Sequence, residues 1–230
     1  MSRTVLLWKA ARVEKRMIKA VIFDMDGVIV ESEHIHIEAE RQTMLKHGVR
    51  ISAEELHIFT GTTAQFMFTE LIKKYTLDTT FEKMFNEKEE ILFKLLEKET
   101  RPTKGVIELL KKLKQKDIKL AIASSSHRRL IDYFLRKLGI NYLFDFVVSA
   151  EDIVHSKPNP EIFLKSAQGL KMKPAECLVV EDAKLGVEAA KKAGMKVIGY
   201  RNPNSGSQDL SKADLIANDF FELTVEEMIA

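Results

Sequence analysis

Apolar runs rich in β-branched residues recur along this chain, and each gives way to polar residues. Residues 18–23 end at Asp24, and residues 118–123 end at Ser124-Ser125-Ser126. Phe146-Val147-Val148 leads to Ser149, Leu178-Val179-Val180 ends at Glu181-Asp182, and residues 197–200 end at Arg201. Short runs that are apolar throughout, without alternation, mark strands buried on both faces. Helical periodicity fills the intervals at residues 106–116, 129–138, 160–170 and 185–193. Buried strands alternating with amphipathic helices predict a parallel α/β sheet with helices on both faces, a Rossmann-like core.

The interval between the first two runs breaks this rhythm. Residues 32–98 contain helical patterns at 32–46, 52–59, 63–75 and 81–98 and no buried-strand run. Ser52 with Glu55 three residues on forms a capping box at one helix start. A crossover between parallel strands needs one helix, so a stretch of this length reads as an inserted helical cap. The expected division is therefore an extension at 1–16, a core made of 17–31 and 99–230, and a cap at 32–98. Hinges are expected near 29–33 and 97–103, where Pro102 stops the preceding helix. Residues 202–209, rich in Asn, Ser and Gly, read as an ordinary surface loop.

Composition narrows the function classes. The 36 basic and 34 acidic residues leave a net charge of +2, which argues against a nucleic-acid partner held by a broad basic face. The one cysteine, Cys177, excludes an internal disulfide and a cysteine-based zinc site, and it reads as a small core residue in a reducing compartment. No segment is long and apolar enough to span a bilayer. A cytoplasmic monomer with no membrane partner is the expectation. Lys111, Lys112, Lys114 and Lys116 read as a solvated helix face, and the Leu, Ile and Phe stripes at 81–98 and 106–113 as packing surfaces.

In an open parallel sheet, ligands bind beyond the carboxyl ends of the strands. The polar residues expected there are Asp24 and Asp26 after the first strand, Ser124 after the second, Lys157 in the loop after the third, and Glu181 and Asp182 at the fourth. Four carboxylates and one lysine cannot all stay ionised together without a further cation. A hard divalent ion completed by water and phosphate oxygens, Mg²⁺, would supply that charge.

The segment Phe23-Asp24-Met25-Asp26-Gly27-Val28 resembles the signature of the haloacid dehalogenase superfamily, in its phosphatase and β-phosphoglucomutase-like branch. The resemblance runs from about Met17 to the C-terminus, with the insert placed as in members carrying a helical cap. It implies that Asp24 attacks phosphorus, forming an aspartyl phosphate. It implies that Asp26 serves as general acid, then base, and binds Mg²⁺ through its backbone carbonyl. Ser124 takes the place of the phosphate-binding hydroxyl, with Ser125 beside it, and Lys157 that of the lysine steadying nucleophile and phosphate. Glu181 and Asp182 match the acidic metal pair, Asp182 as direct ligand. A dehalogenase has no need of the second aspartate, so Asp26 separates phosphorus chemistry from carbon–halogen chemistry.

The implied activity is Mg²⁺-dependent hydrolysis of a small phosphorylated metabolite, with a sugar phosphate as one candidate. The alternative is a β-phosphoglucomutase-like isomerase using the same nucleophile. Three departures from the family pattern bear on the choice. Glu31 stands where relatives carry Asp at the hinge, and Ala183 follows the acidic pair where many have Ser. Ala64 falls at the position of the arginine that clamps a second phosphate in the mutases. His36 matches a cap-hinge histidine of the mutase branch; it also reads as one of two histidines, with His34, on a polar helix face.

Overall fold

The structure is a computed structural model that describes residues 17–230; the extension expected at 1–16 lies outside the described residues. Strand β1 (Ala20–Phe23) is followed by four helices, α1 (Glu33–Lys46), α2 (Ala53–His57), α3 (Ala64–Tyr75) and α4 (Phe81–Lys98). The chain then alternates through α5 (Val106–Gln115), β2 (Lys119–Ala123), α6 (Arg128–Leu138), β3 (Phe146–Val148), α7 (Glu161–Gly169), β4 (Cys177–Glu181), α8 (Lys184–Lys192) and β5 (Lys196–Tyr200). Strand β6 (Leu215–Ala217) and helix α9 (Val225–Ile229) close it. The six strands are parallel and ordered β3-β2-β1-β4-β5-β6.

That order explains where a site can form. From β1 the chain steps outward through β2 to β3, then crosses to the other side of β1 for β4. The strand order therefore reverses at β1, opening a crevice beyond its carboxyl end and that of β4. Asp24 and Asp182 are the first residues past those two strands.

The period of two along β1 sends its side chains to two separate cores. Val21 and Phe23 pack with Leu109, Leu110 and Leu113 of α5 and Leu130, Ile131 and Phe134 of α6. Ala20 and Ile22 pack with Ile162, Phe163 and Ala167 of α7 and Val187 and Ala190 of α8. Phe23, Phe134 and Phe163 are fully buried. Each contributes about 1.5–3 kcal/mol relative to exposure. Cys177 is buried in the second core, and burial pushes its thiol up to about 12, so it behaves as a hydrophobe.

The helical insert has a core of its own, built from Met44, Leu56, Met67, Phe68, Leu71 and Met84. The capping box of Ser52 and Glu55 forms at the start of α2. Ile35, Ala39, Leu92 and Leu96, from the ends of α1 and α4 nearest the sheet, join the main core instead. The two linkers to the cap run side by side. Val30 bridges Pro102, and backbone bonds join Glu31 to Arg101 and Thr103 to Ile29 at 3.0 and 2.9 Å.

The loop expected to be ordinary surface is not one. Within 202–209, Asn202 and Ser205 are buried, and both reach the acidic end of β4. Strand β6 and helix α9 were not foreseen, because a three-residue edge strand carries too little pattern to register. No helix among the described residues is long and apolar enough to cross a membrane.

Candidate active site

Each polar residue singled out at a strand end stands at the crevice because the ladder carries it there. Asp24 extends β1 by one register, its N–H donating to the Val180 carbonyl at 3.0 Å. Lys157, fully enclosed, donates to Asp24 Oδ1 at 2.5 Å and to Glu181 Oε1 at 3.4 Å. An unpaired ammonium would not survive such burial, so these two carboxylates are what keep Lys157 charged. Burial, the largest single effect, would lower its pKa; the carboxyl groups of Asp24, Glu181 and Asp182 together outweigh it and hold Lys157 above the ordinary lysine range.

Asp24, Glu181 and Asp182 present one oxygen each within 4.8 Å of one another, and all three are buried. Burial raises all three pKa values, Asp182 to about 7; repulsion by Asp26 adds to it at Asp24, and repulsion by Asp24 at Glu181 and Asp182. Glu181 Oε2 is buried with no hydrogen-bond partner. Asp182 Oδ2 accepts from the hydroxyl of Ser205 and from Asn202 Nδ2 at 3.2 Å. Gly27 holds φ +80°, and a side chain there would collide with the Asp182 carboxylate and Asn202. The cluster thus has three like charges, one ammonium, an orphaned oxygen and only oxygen donors. These features fit a hard divalent cation.

Asp26 lies in a different environment only two residues away. Its Oδ1 accepts from Ser32 Oγ at 2.6 Å and faces His36 Nε2 at 3.0 Å; its Oδ2 accepts from Ser126 Oγ at 2.7 Å and Ser124 Oγ at 3.4 Å. Burial would raise its pKa, but the facing imidazole of His36 and the bonds from Ser32 and Ser126 hold it well below the usual carboxylate range. Lys88 Nζ sits 3.2 Å from His36 Nδ1. An ammonium can only donate, so Nδ1 accepts and Nε2–H points its proton at Asp26. Lys88 also donates to Glu89 at 3.3 Å, and Glu89 pairs with His127 at the start of α6. A polar chain therefore runs from Asp26 through the cap and back to the core.

Of the expected residues, Asp24, Lys157, Glu181 and Asp182 come together as one cluster, and Asp26 with His36 and Ser124 as a second beside it. Ser125 lines the same cavity, and its hydroxyl donates to the Gly61 carbonyl of the cap at 2.7 Å. Ser32, Lys88, Ser126, Asn202 and Ser205 were missed. Ser32 sits at the hinge, and three consecutive serines gave no means of choosing Ser126. Lys88 falls in Glu87-Lys88-Glu89-Glu90, which reads as a solvated helix face.

A reversing parallel sheet with acids at the reversal and a helical cap above them defines a capped α/β enzyme. Comparison with known proteins gives the family. A model described as haloacid dehalogenase-like hydrolase matches residues 21–200, and the chain belongs to that family. A phosphorylated carbohydrates phosphatase of Thermotoga maritima is 34% identical over 206 residues, covering 87% of this chain and 93% of that protein. A β-phosphoglucomutase of Bacillus subtilis is 31% identical over 218 residues, covering 91% and 93%. The crystal structure of β-phosphoglucomutase from Clostridium difficile aligns with TM-score 0.83 at 30% identity, covering 92% of this chain and 95% of that one.

Proposed function

We propose that this enzyme is a Mg²⁺-dependent phosphatase of small phosphorylated metabolites that works through a phosphorylated Asp24. The observation that carries this reading is the separation of two aspartates two residues apart into opposite environments. Asp24 lies against Lys157 in the cation-binding cluster. Asp26 lies among hydroxyls and an imidazole, outside that cluster. One site thus holds a nucleophile and, beside it, a proton carrier.

In the first step an Asp24 oxygen bonds to phosphorus as the ester oxygen departs with a proton from Asp26. The donors around Asp26 favour its carboxylate, so the protonated form that begins this step is the minor one in the free enzyme and gives up its proton readily. In the second step Asp26 takes a proton from water as that water bonds to phosphorus and the Asp24–phosphorus bond breaks. Asp24 and phosphate are released. Lys157 neutralises Asp24 as the phosphoryl dianion approaches, and Ser124 supplies a hydroxyl to its oxygens. Asp24, Asp182 and Glu181, with the Asp26 carbonyl, would hold Mg²⁺, which when bound offsets repulsion between carboxylates and phosphoryl oxygens.

Similarity to β-phosphoglucomutases supports a second reading, isomerisation with the same nucleophile. The cap weighs against it. Ala64 lines the cavity where a mutase would place its arginine. Lys88, the one lysine the described cap residues contribute to the cavity, is engaged by His36 and Glu89.

The test is a screen of phosphorylated metabolites with Mg²⁺, reading released phosphate. A companion reaction with β-glucose 1-phosphate and a trace of its bisphosphate follows both products, and phosphate release is expected to exceed glucose 6-phosphate formation. Rapid isomerisation with little free phosphate would establish the mutase instead. Ala64→Arg is expected to tighten bisphosphate binding through a bidentate guanidinium.

A further inference from the structure

The cavity above Asp24 and Asp26 measures about 1110 Å³. That is at the upper end of small-molecule pockets and far more than a phosphoryl group fills. Its far wall is formed by the cap, and that wall carries a group of apolar and aromatic side chains among polar ones. Ile37, Phe59, Phe66, Phe81 and Phe85 all line it. Phe66 is 48% exposed, whereas Phe68, two residues along the same helix, is fully buried in the cap core. Packing of the cap therefore does not require Phe66; its ring is left facing the space where a substrate would sit. Phe66 meets Phe59 edge-on at 6.4 Å, and Phe85 stands edge-on to His127 of the core at 5.5 Å.

Three threonine hydroxyls of the same wall are engaged within the cap. Thr62 Oγ1 donates to the Phe59 carbonyl and Thr69 Oγ1 to the Gln65 carbonyl, each at 2.7 Å. Thr63 Oγ1 accepts the Phe66 N–H at 3.3 Å. Glu33, Glu40, Thr60 and Gln65 also line the cavity, but a second phosphate would find no uncommitted cap lysine there. A planar ring would find edges and faces to stack on.

We infer that the substrate is a phosphomonoester whose alcohol carries a planar aromatic ring, and that Phe66 and Phe85 select it by contact with that ring. This rests on the phosphatase reading above. The experiment compares flavin mononucleotide and pyridoxal 5′-phosphate with glucose 6-phosphate and ribose 5-phosphate, all with Mg²⁺. All four are esters of primary alcohols, so their intrinsic reactivity is close and differences report binding. The aromatic esters are expected to show kcat/KM about tenfold or more above the sugar esters. In Phe66→Ala and Phe85→Ala that ratio is expected to fall about tenfold, chiefly through KM. Better turnover of the sugar esters, or a ratio that neither substitution moves, overturns the inference alone. Absence of phosphate release from every ester overturns the phosphatase reading and this inference with it. The comparison in the unsubstituted enzyme stands whether or not either variant folds.

Discussion

The edge of the sheet and the inner wall of the cap face each other across one cavity, and they are built on opposite principles. At the sheet edge, charged groups sit fully buried, held by one another and by the strand ladder. On the cap wall, apolar rings sit partly exposed, Phe59 and Phe81 resting on the cap core and Phe85 on His127. Burying charge costs several kcal/mol per ion unless it is matched, so three carboxyl groups around one ammonium make the edge the costly wall. Leaving rings exposed costs far less and can be altered one residue at a time. Under the proposed function the difference corresponds to chemistry in the core and selection in the cap. It also implies that substitutions at the two walls should fail in different ways.

The largest effect is expected from Asp24→Asn, which keeps the shape but removes the nucleophile. Turnover should fall by about 10⁴-fold or more with the circular dichroism spectrum unchanged. Retention of near-normal phosphate release would erase the distinction between the two walls. Next is Asp26→Ala, which removes both proton transfers; a loss of ~10²–10⁴-fold in kcat is expected in steady-state assays.

Smaller effects should appear in metal dependence. EDTA is expected to abolish activity and Mg²⁺ to restore it, with Ca²⁺ a poor substitute because its looser coordination misplaces the reacting groups. Ser205→Ala and Asn202→Ala, which loosen Asp182 without removing it, should raise the Mg²⁺ concentration for half-activity by ~10–100-fold. Unchanged metal dependence in both variants would mean that the 202–205 loop only packs. The smallest effect belongs to the cap alone. Glu55 is held at about 2, below its ordinary 4.5, by Lys74 first and Tyr75 next. A depressed carboxylate contributes stability above its unfolded pKa and loses it as pH falls through the folded one. The protection of α2 amides relative to their intrinsic exchange rate should therefore fall as pH drops from about 4.5 to 2, and Glu55→Gln should flatten that dependence.

The two walls were also unequally legible in the sequence. Asp24, Ser124 and Glu181-Asp182 could be placed because buried parallel strands announce themselves as unbroken apolar runs, and a polar residue ending such a run has few other places to be. Lys157 followed from its motif. The partners were harder to see. Asn202 and Ser205 belong to a stretch whose composition is that of any exposed loop, and only the approach of that loop to Gly27 and Asp182 makes them internal. Lys88 was hidden by its acidic neighbours, since a local pattern cannot show that a helix turns one lysine inward to a histidine 52 residues earlier. His36 was left between two readings for the same reason. The cap's helices were legible from periodicity, but which rings face the cavity depends on how those helices pack.

The central claim, that Asp24 is transiently phosphorylated, is tested most directly by stereochemistry at phosphorus. Each in-line displacement inverts the phosphorus centre, so two in sequence restore it. A substrate made chiral with oxygen isotopes and thio-substitution, hydrolysed in isotopically labelled water, should give phosphorothioate with net retention. Net inversion would mean that water attacks the substrate directly and that Asp24 is not the nucleophile.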